Sequence, residues 1–223
     1  MKFLAFDTSA ELCSIALLID GEILARDEMV GNRHTERLLP LVAELCAEAG
    51  LTSNQLDGVG FGAGPGAFTG VRIAASAAHG IALAHDLSVV AVSSLAALAL
   101  GGWRHTRIPQ QLATLDARRG ELYWGLYRID PATELVREVS VDKVGAPDTI
   151  KIPTEFGPWV ALGRGWEVHA AVLTSRLSPT SVDVDHCRFP HAANVARLGA
   201  AKLRSGHGMA PEMALPFYLR APV

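Results

Sequence analysis

An acid followed by two hydroxyls, Asp7-Thr8-Ser9, and glycine at every second position from Gly58 to Gly66 are the residues of this 223-residue chain best equipped to hold a phosphate. The glycines run through Gly64-Pro65-Gly66 into Thr69, Gly70 and Arg72. Glycine permits positive φ and close backbone approach, and a helix that starts after such a turn offers unpaired N–H groups to an anion. Thr69 is expected to cap that helix. Arg72, a cation in a first helical turn, opposes the helix dipole, which suggests that it serves a carboxylate or phosphate. The Asp7-Thr8-Ser9 group could hold a hydrated metal or phosphates, although the same residues also make good turns.

Several chemistries lack their residues. No lysine lies between positions 3 and 142, so a Walker-type loop is missing. None of the eight histidines has a partner at the i, i+4 spacing of a zinc protease, so no metal site is expected. Ser9, Ser14 and Ser76 lack the glycine elbow of a serine hydrolase. Cys13, Cys46 and Cys187 are odd in number and far apart, which argues against zinc ribbons and disulfides and for a reduced, cytoplasmic setting. Arg118 and Arg119, at a turn before the aromatics Tyr123, Trp124 and Tyr127, could touch phosphate or RNA.

The elements that must carry these residues are legible from periodicity. Residues 2–8 read as a buried strand, and Leu12 to Ile19 as a second, joined by the Asp20-Gly21 hairpin to a third over 22–27. Leu38, Leu41, Val42, Leu45, Cys46 and Ala49 recur at helical spacing, and Gly50 ends that helix. Strands are expected over 57–62 and 88–92, and helices over 69–85 and 93–101. A meander followed by strand–helix alternation argues a mixed α/β architecture. Gly101-Gly102 marks a boundary between a first domain, 1–102, and a second, 103–223. Beyond it, strands are expected at 111–116 and 121–128, loops through 145–165, helices at 165–175 and 191–205, and an extended tail.

Apolar residues make up 49% of the chain and charged residues 19%, the balance of a globular protein, and no apolar run reaches the ~18 residues of a membrane span. The first hundred positions hold five basic and eleven acidic residues, a poor nucleic-acid surface but one suited to a basic protein partner. The 69–85 segment is rich in alanine and glycine and thin in polar cover, so it is expected to be buried or docked.

Taken together, Phe6-Asp7-Thr8-Ser9, His34-Thr35-Glu36-Arg37-Leu38-Leu39-Pro40, Gly64-Pro65-Gly66-Ala67-Phe68-Thr69-Gly70-Val71-Arg72-Ile73, Asp116 to Tyr123 and Tyr218-Leu219-Arg220 resemble the TsaB (YeaZ) family of bacterial threonylcarbamoyladenosine biosynthesis proteins. The likeness spans nearly the whole chain in order. It implies an actin-like, Hsp70-like (ASKHA) α/β fold of two lobes, the last helix (about 191–205) packing back toward the first. It further implies a subunit with no catalytic residue of its own. Such a subunit pairs with the catalytic paralogue TsaD, or with a second copy when alone, is joined by the ATPase TsaE, and reaches tRNA through the complex.

On this resemblance the partner interface is expected at His34, Leu38, Leu41, Val42, Leu45, Thr69, Arg72, Ala74, Ala78 and Ile81. Nucleotide contacts are expected at Asp7, Thr8, Ser9, Gly64 and Gly66, and tRNA contacts at Arg118 and Arg119. No cofactor of its own is implied, with ATP or ADP admissible at the partner interface. A bulky charge at Ala78 is expected to abolish partner binding and leave the monomer folded. Two other classes stay open: an active ATPase or sugar kinase of the same fold, and a metal-dependent glycopeptidase, disfavoured by the missing ligand pairs.

Overall fold

The computed structural model describes residues 1–220 and divides them into two compact units: residues 1–97 with 190–217, and residues 98–189 with 218–220. The first unit is built on a five-stranded sheet in the order β3-β2-β1-β4-β5. Strands β1 (Lys2–Asp7), β2 (Leu12–Ile19) and β3 (Glu22–Met29) form an antiparallel meander, and β4 (Gly58–Gly64) and β5 (Ser88–Ser93) continue it in parallel. Side chains alternate across a strand, so β1 feeds two cores. Leu4 and Phe6 join Ile15, Leu17, Val59 and Phe61 against helices α1 (His34–Glu48) and α2 (Phe68–Ala84). Phe3 and Ala5 face the other way, toward Val195, Ala196 and Ala200 of the last helix.

The alternating glycines have a direct physical cause. Gly58, Gly60 and Gly62 share one face of β4, while Val59, Phe61 and Ala63 point to the opposite core. A methyl group on Gly60 would meet the ring of Phe3 at 2.7 Å, and one on Gly58 would meet Leu203 at 2.7 Å. The bare strand face is therefore the seat of Phe3 at Gly58 and Gly60, and of the Asp7 carboxylate at Gly62. Most of the glycine run is a buried strand, and the turn proper begins only at Gly64-Pro65.

The second unit holds a sheet in the order β10-β9-β6-β7-β8. Its strands are β6 (Gln110–Arg118), β7 (Glu121–Ile129), β8 (Val136–Gly145), β9 (Trp159–Leu162) and β10 (Ser181–Asp183), with short helices α4 (Arg164–Val168) and α5 (Ala170–Arg176). Leu112, Trp124, Leu126, Phe156, Trp159, Trp166 and Leu173 form its core. Segment 145–165, expected as loops, contains two single 3-10 turns and strand β9. Gly101-Gly102 does not end a helix: α3 runs Ser94–Thr106, and the division between units falls inside it after Ala97. Gly102 is small because Leu162 and Gln111 crowd its backbone. Among the described residues no helix is long and apolar enough to cross a membrane.

Helix α6 (Ala192–Arg204) belongs to the first unit, and a buried serine anchors its start. The Ser14 hydroxyl accepts the Ala192 N–H at 2.7 Å. It also hydrogen-bonds Asp27, whose carboxylate meets His191 Nδ1 at 2.9 Å. Ser14→Ala strands a buried donor, so a loss of about 1–3 kcal/mol is expected, read as a lower urea midpoint at unchanged slope.

Candidate functional site

At the end of β1 the chain turns through Thr8 and Ser9, and both residues are buried with Asp7. One Asp7 oxygen accepts the Ser9 N–H at 2.8 Å and the Ser9 hydroxyl at 2.6 Å. The other accepts the Ser94 hydroxyl at 2.7 Å. Burial pushes the Asp7 carboxyl above its usual range, against these hydrogen bonds, which favour the charged form. Thr8 donates its hydroxyl to the Gly70 carbonyl at 2.7 Å, and the Ala67 N–H donates to the Ser9 carbonyl at 2.7 Å.

The two turns that could face a phosphate thus lie directly on one another. A Cβ on Gly66 would fall within 3.0 Å of the Ser9 backbone, and one on Gly70 within 3.0 Å of the Thr8 carbonyl. Gly64, at φ +104, is covered by the Phe217 carbonyl, 2.9 Å from where its Cβ would stand. The backbone of Thr8-Ser9 occupies the concavity that the glycines create. Thr69 does not cap α2; Ala67 is the capping position, without a side-chain bond, and Thr69 is exposed in the first turn. The Arg72 guanidinium lies over the Phe68 ring, 3.6 Å from its centroid.

His34 begins α1 and is buried, not displayed. Its Nε2 sits 2.8 Å from the Ala10 carbonyl, tying the helix start to the turn after Ser9, and burial holds its pKa below the usual range. The expected interface needs the same correction elsewhere. Leu38, Leu41, Leu45, Ala74 and Ala78 are core residues between the sheet and the two helices, with Val42 and Ile81 packed partly buried against them. A stripe at helical spacing is first the face that the helix buries in its own protein. Ala78 is fully buried, so a charge there breaks the fold instead of sparing it.

The outward faces of these helices carry Thr69 and Arg72 from the expected interface, with residues that it left out. Leu39 with Pro40 and Ala43 on α1, and Phe68, Thr69, Arg72, Ser76, Gly80 and Leu83 on α2, are all exposed. Leu39, Phe68 and Leu83 are 54%, 48% and 58% exposed, and nothing lies within 4 Å of a Cβ on Gly80. Met213, Leu215 and Phe217, near the end of the same unit, are also exposed apolar residues. The sequence contained this signal as apolar residues lying off the helical stripe.

Arg118 and Arg119 form the tip of the β6–β7 hairpin with φ of 61° and 55°. The Arg118 guanidinium pairs with Asp116 at 3.1 Å and its N–H donates to the same carboxylate at 2.9 Å. Arg220 reaches the same hairpin, donating to the Ala117 carbonyl at 3.3 Å and pairing with Glu121.

A meander joined to parallel strands, with helices on both faces of the sheet, and a second five-stranded unit after it define a two-lobed α/β protein of the actin-like class. The family model described as TsaD: tRNA N6-adenosine threonylcarbamoyltransferase matches residues 26–223. The tRNA threonylcarbamoyladenosine biosynthesis protein TsaB of Escherichia coli strain K12 is 33% identical over 99% of this chain and 95% of its own length. Its namesake in Bacillus subtilis strain 168 is 30% identical over 95% and 93%. The solved structure of YeaZ from Pseudomonas aeruginosa superposes with a TM-score of 0.90 at 38% identity, covering 98% of this chain and 99% of that one. The chain belongs to the TsaB (YeaZ) family.

Proposed function

We propose that this chain serves the formation of N6-threonylcarbamoyladenosine in tRNA as a non-catalytic subunit. In this reading it docks the catalytic paralogue TsaD through the outward faces of α1 and α2, TsaE joins the pair, and tRNA meets the assembly and not the isolated chain. Alone, the same face pairs two copies. The observation that carries the proposal is the seating of Thr8-Ser9 on Gly66 and Gly70. It gives the polar groups best placed to hold a nucleotide a structural occupation. The exposed Leu39 on α1, and Phe68 and Leu83 on α2 with the open Gly80, support docking, because exposed apolar surface marks interaction sites. Identity of 33% to a TsaB along nearly the whole chain supports the pathway.

The test is an omission assay with TsaD, TsaE, the threonylcarbamoyl-adenylate synthase, ATP, threonine, bicarbonate and tRNA. Modified adenosine is expected only when this chain is added. Asp7→Asn separates a structural from a catalytic Asp7. Asparagine can still accept from Ser9, and its amide can face the Ser94 hydroxyl, so support of the reaction is expected at the wild-type level. Loss of product with a folded Asp7→Asn chain would instead favour an ATPase.

A further inference from the structure

The sequence offers no pair of histidines at helical metal-binding spacing, yet the fold assembles one from distant positions. His105 stands in the last turn of α3 and His186 in the turn after β10, with Asp183 ending that strand between them. His105 Nδ1 lies 2.5 Å from one Asp183 oxygen and His186 Nδ1 lies 3.0 Å from the other. The two rings stack with centroids 4.0 Å apart, and one donor atom from each of the three residues falls within 4.8 Å of the others. Both rings are open to solvent while the carboxylate is buried.

We propose that His105, Asp183 and His186 form a binding site for a divalent transition cation of the zinc class. Two imidazoles and a carboxylate are a zinc-type donor set, and three protein ligands leave a position for water, which the exposed rings admit. Donors around tetrahedral zinc stand about 3.4 Å apart, given metal–ligand bonds near 2.1 Å. Each of the two nitrogen–oxygen contacts would lengthen by less than about 1 Å to reach that spacing, a movement within reach of two exposed side chains. On binding, each neutral ring moves the proton that faces Asp183 from Nδ1 to Nε2 and presents Nδ1 to the cation, a change of tautomer without a change of charge. The carboxylate is already oriented from behind, by the Cys187 thiol and by the His186 N–H at 3.3 Å. The cation would staple the end of α3 to the 183–186 turn within the second unit. The site takes no part in the proposed subunit role.

The experiment is calorimetric titration of Zn2+ into the untagged full chain after removal of metal with a chelator. One equivalent is expected to bind. Affinity should fall roughly a hundredfold in His105→Gln and in His186→Gln, and stay unchanged in His207→Gln. At a hundredfold excess of Zn2+ over its dissociation constant, the melting temperature of the wild type should rise by roughly 5–10 °C, and that of the double variant should not. Circular dichroism of the metal-free variants confirms that they fold. Absence of stoichiometric binding to the wild type, or binding that survives both substitutions, overturns the site.

Discussion

Gly70→Ala is expected to cost about 3 kcal/mol or more, enough to leave much of the chain unfolded at 37 °C, although alanine is the better helix former. Replacing glycine by alanine inside a helix ordinarily gains up to about 1 kcal/mol. At Gly70 the new methyl would fall within contact distance of the Thr8 carbonyl, which is backbone and cannot rotate away. Moving Thr8 would disturb its hydroxyl bond to the Gly70 carbonyl and then the Ser9 bonds that hold Asp7. Those groups are buried, so each broken bond leaves an unsatisfied polar atom. Gly80→Ala, in the same helix with open space around its Cβ, is the internal control and should be neutral or stabilising. Urea unfolding of the two variants beside the wild type reads opposite signs. If Gly70→Ala were as stable as the wild type, the close seating of the two turns would be wrong.

That contrast bears on what the sequence could reveal. Glycine at alternate positions is the signature of one strand face, and Gly58 to Gly62 follows it; what no spacing rule could supply is that the occupants are Phe3 over Gly58 and Gly60 and Asp7 over Gly62, more than fifty residues away. Glycines that permit an anion cradle and glycines that permit backbone to lie on backbone look alike in sequence. Only the position of Thr8-Ser9 distinguishes them. The meander, α1 and α2 were legible because their apolar periods are strong and the Asp20-Gly21 turn is specific.

Other features were missed for identifiable reasons. Strand β8, Val136–Gly145, sets the charged pairs Arg137-Glu138 and Asp142-Lys143 between its valines, so the period-2 signal is broken and no strand is expected there from the sequence. The faces of α2 could not be separated by periodicity, because residues small and apolar on every side leave no polar face to mark solvent. Leu38, Leu41 and Leu45 illustrate the converse: their clear stripe is what the sheet of their own unit consumes. The His105–Asp183–His186 cluster joins residues almost eighty positions apart and has no local signature at all.

Leu83→Glu is expected to abolish detectable pairing with TsaD and reduce threonylcarbamoyladenosine formation at least tenfold, with stability within about 0.5 kcal/mol of the wild type. Leu83 is 58% exposed on α2, so the charge costs little in the isolated chain. In the proposed complex the same side chain lies against apolar surface, and an unpaired carboxylate would have to be desolvated there. Gly80→Arg should act in the same direction by holding the partner helix away from a site that is open in the monomer. Homodimers use the same face in this reading, so both variants should sediment as monomers at concentrations where the wild type pairs. The matched control is Val141→Glu on β8 of the second unit. Val141 is more exposed still, at 72%, and the same change there should leave modification intact. If Leu83→Glu and Val141→Glu lose activity equally, the effect is one of surface charge and α1–α2 is not the docking face. If neither loses it, partner binding lies elsewhere on the first unit or on the second. Loss confined to the α2 variants, with unfolding curves that overlay the wild type, ties the pathway role to the exposed face of this helix pair and separates it from the core stripe beneath.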